Sequence, residues 1–245
     1  MSSTHRRVLG AGIAATAIAA LVAGTPALAG PGNKPAVKGN PNLTTVQLLS
    51  FNDYHGHLKA TDGPLAAVHD PSATPVGGAE YLSTKLTELR AKIGDSKSLT
   101  VAAGDLIGGS PFLSGLFHDE PSVESLNAMG LDASSVGNHE FDEGTDELLR
   151  MQEGGCHPED GCYFPDEPYG GADFPWLAAN VINKADGSTF LPGTWVKEIA
   201  GTKVGFIGMT LEGTDLLVSP GGISSVTFED EGETANAAAR TLKKQ

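Results

Sequence analysis

Residues 46–57 read VQLLSFNDYHGH, an apolar and β-prone run that leads directly into asparagine, aspartate and two histidines. Two later stretches repeat this arrangement: residues 98–105 read SLTVAAGD, and residues 133–142 read ASSVGNHEFD. Short apolar runs that end at glycine and polar residues predict β-strands. The sequence therefore predicts three strands, each of which delivers polar side chains to its carboxyl end.

Helical patterns separate these strands. Apolar residues recur at intervals of three and four over 78–93, which predicts an amphipathic helix that ends at Gly94. Further helices are predicted over 121–129, 145–151 and 234–244, and further strands within 174–181 and over 194–199, 203–209 and 223–228. Between two of these strands, Ala200-Gly201-Thr202 predicts a hairpin turn. The alternation of strands and helices predicts an α/β fold built in layers.

The composition indicates a folded, acidic protein. The chain has 245 residues, of which 40% are hydrophobic and 19% are charged, and its 16 basic and 30 acidic residues give a net charge of −14. Because nucleic-acid backbones attract basic surfaces, this balance argues against binding to nucleic acid polymers. The acidic excess is typical of a solvated surface and can also attract divalent cations.

The first 29 residues have the pattern of an export signal. They contain a pair of arginines and no acidic residue, followed by an Ala-rich apolar run that ends in Ala-Leu-Ala. This order predicts a signal peptide over 1–29, and hence secretion to the extracellular space or the cell envelope. A membrane anchor is the alternative, but the run is short for a span, and no later stretch predicts a transmembrane segment. Residues 30–44, rich in Pro and Gly, predict a flexible lead-in to one domain over 45–245.

Cys156 and Cys162 lie six residues apart in a loop that is rich in Gly and Pro. In an exported chain this spacing predicts a small disulfide loop. The alternative is a metal site that uses both cysteines and His157, although the sequence offers no obvious fourth ligand.

The polar strand ends together predict a metal site, because ligands gather at the carboxyl ends of strands in α/β sheets. Asp53 and His55 are two residues apart, so both side chains can lie on the same side of an extended segment. Asp105 and Asn138 follow the next two strands and complete a set of carboxylate, imidazole and amide donors, which suits Zn²⁺, Mn²⁺ or Fe. We expect Asp105 to bridge two such ions. The glycines that precede Asp105 and Asn138 allow tight turns and a close backbone approach.

Four motifs carry a resemblance to a known family. They are FNDYHG at 51–56, AGD at 103–105, GNHEFD at 137–142 and FPWLAAN at 174–180. In spacing and context they resemble the signature of the calcineurin-like metallophosphoesterases, and within them the secreted bacterial 5′-nucleotidase family, over about residues 45–245. The resemblance implies a metallophosphoesterase fold in which mixed β-sheets are sandwiched by helices. It also implies hydrolysis of nucleotides or other phosphate esters with two divalent metal ions.

The resemblance implies a metal-binding role for four residues. Asp53 and His55 would hold one ion, and Asp105 would bridge it to the second. Asn138 would hold the second ion and approach the phosphate of the substrate.

It also implies that His139 acts as a leaving-group acid or a transition-state stabiliser. Asp142 would orient its imidazole, and a carboxylate beside a histidine is a recognised way to fix its charge state and orientation. We interpret His57 and Glu140 as supporting or structural residues.

The sequence departs from the family pattern in its later part. The family has further histidine ligands on later strands and a C-terminal substrate domain, whereas no histidine follows His157 here. We therefore expect a metallophosphoesterase domain that is incomplete at its C-terminus, with an incomplete second metal site and weak or no activity. The alternative is a non-catalytic domain that binds metal or a partner.

Overall fold

The computed structural model describes residues 43–61 and 75–245. The predicted signal peptide over 1–29 and most of the lead-in over 30–44 lie outside these residues. Within the described ranges, no helix combines the length and the apolar character needed to cross a bilayer.

Strands and helices alternate through the first two thirds of the described chain, as the sequence predicts. The strands are β1 (Gln47–Phe51), β2 (Ser98–Ala102), β3 (Ala133–Ser135), β4 (Trp176–Leu177), β5 (Val181–Asn183), β6 (Thr194–Ile199), β7 (Thr202–Ile207) and β8 (Val226–Phe228). The α-helices are α1 (Ala79–Ala91), α2 (Phe112–Gly115), α3 (Glu120–Met129), α4 (Thr145–Glu153) and α5 (Glu231–Leu242). Short 3₁₀ helices cover Asp95–Lys97, His139–Phe141 and Glu212–Leu216.

The main sheet is parallel, with its strands in the order β1-β2-β3-β4. In register, Phe51 pairs with Ala102, Ala102 with Ser134, and Ser134 with Trp176. Parallel neighbours need crossover connections, and helices α1 to α4 lie within these connections. The carboxyl ends of β1, β2 and β3 therefore meet at one edge of the sheet, which confirms the predicted α/β fold.

Helices α3 and α4 pack apolar side chains into the core against this sheet. Val123 and Leu126 of α3 and Leu148 and Met151 of α4 are fully buried, as is Trp176 of β4. Burial of each such side chain contributes about 1.5–3 kcal/mol. This packing holds the strands that carry the polar loops.

A buried ion-pair network joins the same two helices. Arg150 of α4 contacts Glu120 of α3 at 2.6 Å and Glu147 of its own helix at 2.7 Å. Loss of one partner from such a network leaves an uncompensated buried charge, which typically costs about 3–5 kcal/mol.

The later part of the chain forms two antiparallel pairs, β5 with β8 and β6 with β7. The predicted hairpin is confirmed, and its turn places Ala200 and Gly201 at φ 50° and 73°. Left-handed residues at both turn positions match the twist of the flanking strands.

The strand predicted within 174–181 is confirmed as β4, and the strand predicted over 223–228 is shorter, Val226–Phe228. The buried Asn180 separates β4 from β5: its amide donates to the carbonyls of Thr210 and Glu229 and accepts from the Thr210 N–H. The last helix begins at Glu231 rather than at 234, because the Asp230 side chain caps it by accepting from the Glu233 N–H at 2.6 Å.

Candidate functional site

The loops that follow β1 and β2 stay paired beyond the ends of the strands. The N–H groups of Asp53, His55 and Gly56 donate to the carbonyls of Gly104, Asp105 and Leu106 at 3.1–3.2 Å. The two loops therefore run side by side and carry their side chains to the same edge.

The backbone of these loops is strained at the positions that carry donors. Asp53, His55 and Asp105 have φ values of 54°, 44° and 53°, in the left-handed region. Non-glycine residues there cost on the order of 1–3 kcal/mol each and persist only where their surroundings fix them. Asn, Asp and His occupy this region more readily than other non-glycine residues.

The glycines behave as the sequence predicts. A Cβ on Gly137 would collide with the Oδ1 atom of Asp105 and lie 2.7 Å from its backbone N, and a Cβ on Gly104 would collide with the backbone of Gly137. Only glycine lets the loops after β2 and β3 approach so closely.

Asp53, His55 and Asp105 converge. Each offers a ligand atom, and these atoms lie within 4.8 Å of one another. The Nδ1 atom of His55 lies 2.6 Å from the Gly108 carbonyl, which can only accept, so Nδ1 carries the proton and Nε2 keeps its lone pair for a ligand bond. Two carboxylates and one oriented imidazole fit a divalent transition ion.

The loop after β3 joins the same edge. Asn138 directly precedes His139, whose backbone N–H donates to Asp105 Oδ1 at 3.1 Å. The rings of His55 and His139 meet edge to face with centroids 4.7 Å apart. The structure thus brings the segment that holds Asn138 and His139 to Asp105, and the ligand role of Asn138 stays a prediction.

His139 and Asp142 form a hydrogen-bonded pair. Nδ1 of His139 lies 2.8 Å from Asp142 Oδ2, and both side chains are about one third exposed, at 37% and 33%. The hydrogen bond raises the pKa of His139 above its ordinary value, burial opposes this rise, and the charge of Asp105 adds to it. The imidazole is therefore oriented, and its Nε2 is left for proton transfer.

Glu140 has a larger part than the sequence indicates. Its buried carboxylate accepts from the backbone N–H groups of Asp105 at 2.9 Å, Leu106 at 2.7 Å and Gly137 at 2.6 Å. Burial raises the pKa of Glu140 to about 7, while the three donors act in the opposite direction. Glu140 therefore joins the loop after β2 to the loop after β3. In the sequence, only its position three residues after Gly137 could have indicated its contact with the Gly137 N–H.

Asp119 supports the next part of the same loop, and sequence reasoning missed it. Its carboxylate accepts from the Gly108 N–H at 2.8 Å and from the Ser114 hydroxyl at 2.6 Å. It thereby holds the carbonyl that orients His55.

Cys156 and Cys162 are bonded to each other, with their Cα atoms 4.5 Å apart. The predicted disulfide is confirmed, and the alternative metal site built from both cysteines and His157 is wrong because the sulfurs are consumed in the bond. His157 instead stacks on His118, with ring centroids 3.8 Å apart.

Known proteins similar to this chain include enzymes that act on nucleotides and nucleic acids. No family model matches the sequence. The chain is 40% identical over 203 residues to Endonuclease YhcR of Bacillus subtilis, which covers 82% of this chain and 16% of that protein. It is 37% identical over 236 residues to Cell wall protein Lmo0130 of Listeria monocytogenes, covering 92% of this chain and 29% of that protein.

A third relative is the NAD 5′-nucleotidase of Haemophilus influenzae, 30% identical over 205 residues, or 82% of this chain and 30% of that protein. The solved structure of the H. influenzae NAD nucleotidase superposes with a TM-score of 0.62 at 25% identity, covering 82% of this chain and 32% of that one. The calcineurin-like phosphoesterase YfkN of B. subtilis shares the fold with a TM-score of 0.61 at 23% identity, covering 81% and 58%. The chain spans less than a third of the length of each of these three relatives.

Proposed function

We propose that this chain, which belongs to the 5′-nucleotidase family of the calcineurin-like phosphoesterases, supplies a divalent-metal centre and an acid histidine for the hydrolysis of nucleotide phosphates outside the cytoplasm. Members of this family are metal-dependent phosphoester hydrolases. The observation that carries the proposal is the meeting of Asp53, His55 and Asp105 at one sheet edge, beside the paired His139 and Asp142.

The donors fit the metal. Asp53, His55 and Asp105 would hold one ion, and Asp105 and Asn138 would contribute to a second. Bound divalent ions supply Lewis acidity and an activated water for phosphoester hydrolysis. From the described loops, the second ion would be held by one carboxylate and one amide, a weaker donor set than one that includes imidazole.

The remaining chemistry comes from the side chains. His139 would give a proton from Nε2 to the leaving oxygen, since Nδ1 is engaged by Asp142. Asn138 would donate from its amide to a phosphate oxygen. Glu140 would keep Asp105 in position through the backbone of the loop.

Two observations support action in the cell envelope or outside the cell. A disulfide persists in oxidising compartments, and Cys156 and Cys162 form one. A similar protein is named a cell wall protein. The predicted signal peptide over 1–29 agrees with this localisation.

Cleavage of nucleic acid is the second candidate function. It is favoured by the 40% identity to a protein named an endonuclease, since hydrolysis of a phosphodiester uses the same metal chemistry. The net charge of −14 weighs against a long polyanionic substrate. Nucleotides therefore remain the first choice.

The test is to load residues 30–245 with Zn²⁺ or Mn²⁺ and to measure phosphate release from AMP and an aryl phosphate, with cleavage of single-stranded DNA in parallel. We expect metal-dependent release from AMP below roughly 1 s⁻¹, the low end of ordinary enzyme rates. Asp105→Asn should abolish it, and Asp146→Asn, the same change at an exposed position of α4, should leave it unchanged.

Three outcomes would contradict parts of the proposal. Activity that Asp105→Asn leaves intact would overturn the metal centre. Turnover of about 1–10³ s⁻¹ would show that the described donors suffice for full activity. Cleavage of DNA without release of phosphate from AMP would favour the second candidate.

A further inference from the structure

A second group of metal-ligating side chains lies outside the site described above. It consists of His118, Glu143, Glu147 and His157, hereafter the histidine–glutamate cluster. His118 lies in the turn between α2 and α3, Glu143 just before α4, Glu147 in the first turn of α4, and His157 in the disulfide loop. Each residue offers a ligand atom, and the four atoms lie within 4.8 Å of one another.

The two imidazoles of the cluster are arranged face to face. The angle between the two ring planes is 7°, and the ring centroids are 3.8 Å apart. Nδ1 of His118 lies 2.6 Å from Glu143 and Nε2 lies 2.9 Å from Asp160. A carboxylate only accepts when ionised, and a neutral imidazole donates only once. His118 must therefore hold two protons, or exchange one of them for a metal ion.

The charge around the cluster favours a cation. Four carboxylates and one guanidinium lie in and around it: Glu120, Glu143, Glu147, Asp160 and Arg150. With neutral imidazoles, these groups carry three negative charges in excess. A divalent ion would remove most of this excess, and the burial of Glu147 and Glu120 makes the imbalance more costly than on an open surface.

The cluster lies close to the paired His139 and Asp142. A cavity of about 20 Å³ is lined by His118, Glu143 and Glu147 of the cluster and also by His139 and Asp142. The cluster shares no residue with Asp53, His55 and Asp105, and it uses none of the residues assigned to hydrolysis.

We propose that the histidine–glutamate cluster binds one divalent transition-metal ion of the Zn²⁺ class, which fastens the disulfide loop to the start of α4. Two imidazoles and two carboxylates are a donor set that Zn²⁺ accepts, and four donors complete a closed structural site. Donors about 2.0–2.2 Å from Zn²⁺ lie roughly 3.5 Å apart, so the ion draws any two of the four atoms together by at most about 1.3 Å. His157 exchanges its contacts with the N–H groups of Glu159 and Asp160, at 3.4 and 3.1 Å, for the ion.

The experiment removes the first centre and asks whether an ion remains. The variant Asp53→Asn/His55→Ala/Asp105→Asn is dialysed against Zn²⁺, and its metal content is measured by elemental mass spectrometry. We expect about one Zn²⁺ per chain. Adding His118→Ala should weaken this binding by more than the roughly 10–100-fold that loss of an outer partner costs. If the triple variant is misfolded by circular dichroism, His55→Ala alone replaces it.

A matched control uses another acidic group within residues 43–61 and 75–245. Glu212, Asp230 and Glu231 also offer ligand atoms within 4.8 Å, but they are largely exposed and include no histidine. Glu231→Gln should leave the Zn²⁺ content unchanged, whereas Glu143→Gln should reduce it. Equal loss in both variants, or no Zn²⁺ in the triple variant, would overturn the proposal.

A second readout separates a metal site from an ion pair. Side-chain ¹H–¹⁵N spectra of the triple variant should show two ring N–H groups on His118 without metal and one after Zn²⁺ is added. If both N–H groups persist at saturating Zn²⁺, His118 is held by its carboxylates alone and the proposal is wrong.

Discussion

The loops at the carboxyl edge of the main sheet and the segment formed by β6, β7 and α5 are built very differently. The loops hold strained residues such as Asp53 and Asp105, a buried carboxylate that accepts three backbone N–H groups, and glycines whose Cβ would collide with a neighbour. Helix α5 contains no buried residue, and a Cβ on Gly205 would meet Leu242 at 3.3 Å, a tight contact with a flexible side chain. This chain therefore concentrates its structural constraints where donors must be held in position.

The largest expected effect comes from the loops. In any form of the protein that hydrolyses phosphate esters, His139→Ala should lower kcat by about 10²–10⁴, because a positioned acid is lost. The metal content should stay the same, and Asp142→Asn should cost less because it only orients the imidazole. Turnover and metal content are measured together. Loss of metal with unchanged folding would show that His139 is a ligand.

The next effect tests the carboxylate that joins the loops. Glu140→Ala should lower the free energy of unfolding by at least about 3 kcal/mol, because three backbone N–H groups lose their acceptor and each donor left without one costs about 1–3 kcal/mol. Urea unfolding measures the change. Glu212→Ala, at an exposed carboxylate of the 3₁₀ helix that follows β7, should stay within about 0.5 kcal/mol. If both variants lost a similar free energy of unfolding, the loops at the sheet edge would be no more constrained than the exposed later part of the chain.

The disulfide loop should have an intermediate effect. Cys156→Ser/Cys162→Ser should lower the free energy of unfolding by about 2–3 kcal/mol, because the bond closes a short loop in the unfolded chain. Denaturant unfolding gives the size. Intact mass after alkylation, with and without reduction, tests the bond itself, and two free thiols in exported protein would refute it.

The smallest effect is expected in the later segment. Leu242→Ala should lower the free energy of unfolding by about 1 kcal/mol or less, below the about 2–5 kcal/mol of a core leucine, since Leu242 is only half-buried. Leu148→Ala, at a fully buried position of α4, is the matched comparison. A loss as large as that of Leu148→Ala would show that α5 is as firmly packed as the core.

Sequence reasoning was effective for the loops because strand ends of a parallel sheet must share an edge. Asp53, His55 and Asp105 follow their strands directly, so their convergence could be predicted without coordinates. The start of α5 could also have been predicted, because Asp230 and Glu233 have the spacing of an N-cap motif.

What the sequence did not reveal depends on contacts between distant segments. His118, Glu143 and His157 belong to three elements, and nothing in their spacing indicates that the rings of His118 and His157 stack. Glu140 lies within a recognised motif, yet its partners at Asp105 and Leu106 are set by how two loops pack. The division of β4 from β5 follows from the hydrogen bonds of one buried amide, that of Asn180.

The left-handed backbone at Asp53, His55 and Asp105 also limits how the protein can be improved. At each of these positions glycine would relieve the strain, so a search for greater stability would select glycine there. Each such gain would remove a donor from the centre. Selection for thermal stability alone would therefore enrich inactive variants. A library designed for higher stability should keep these three positions unchanged.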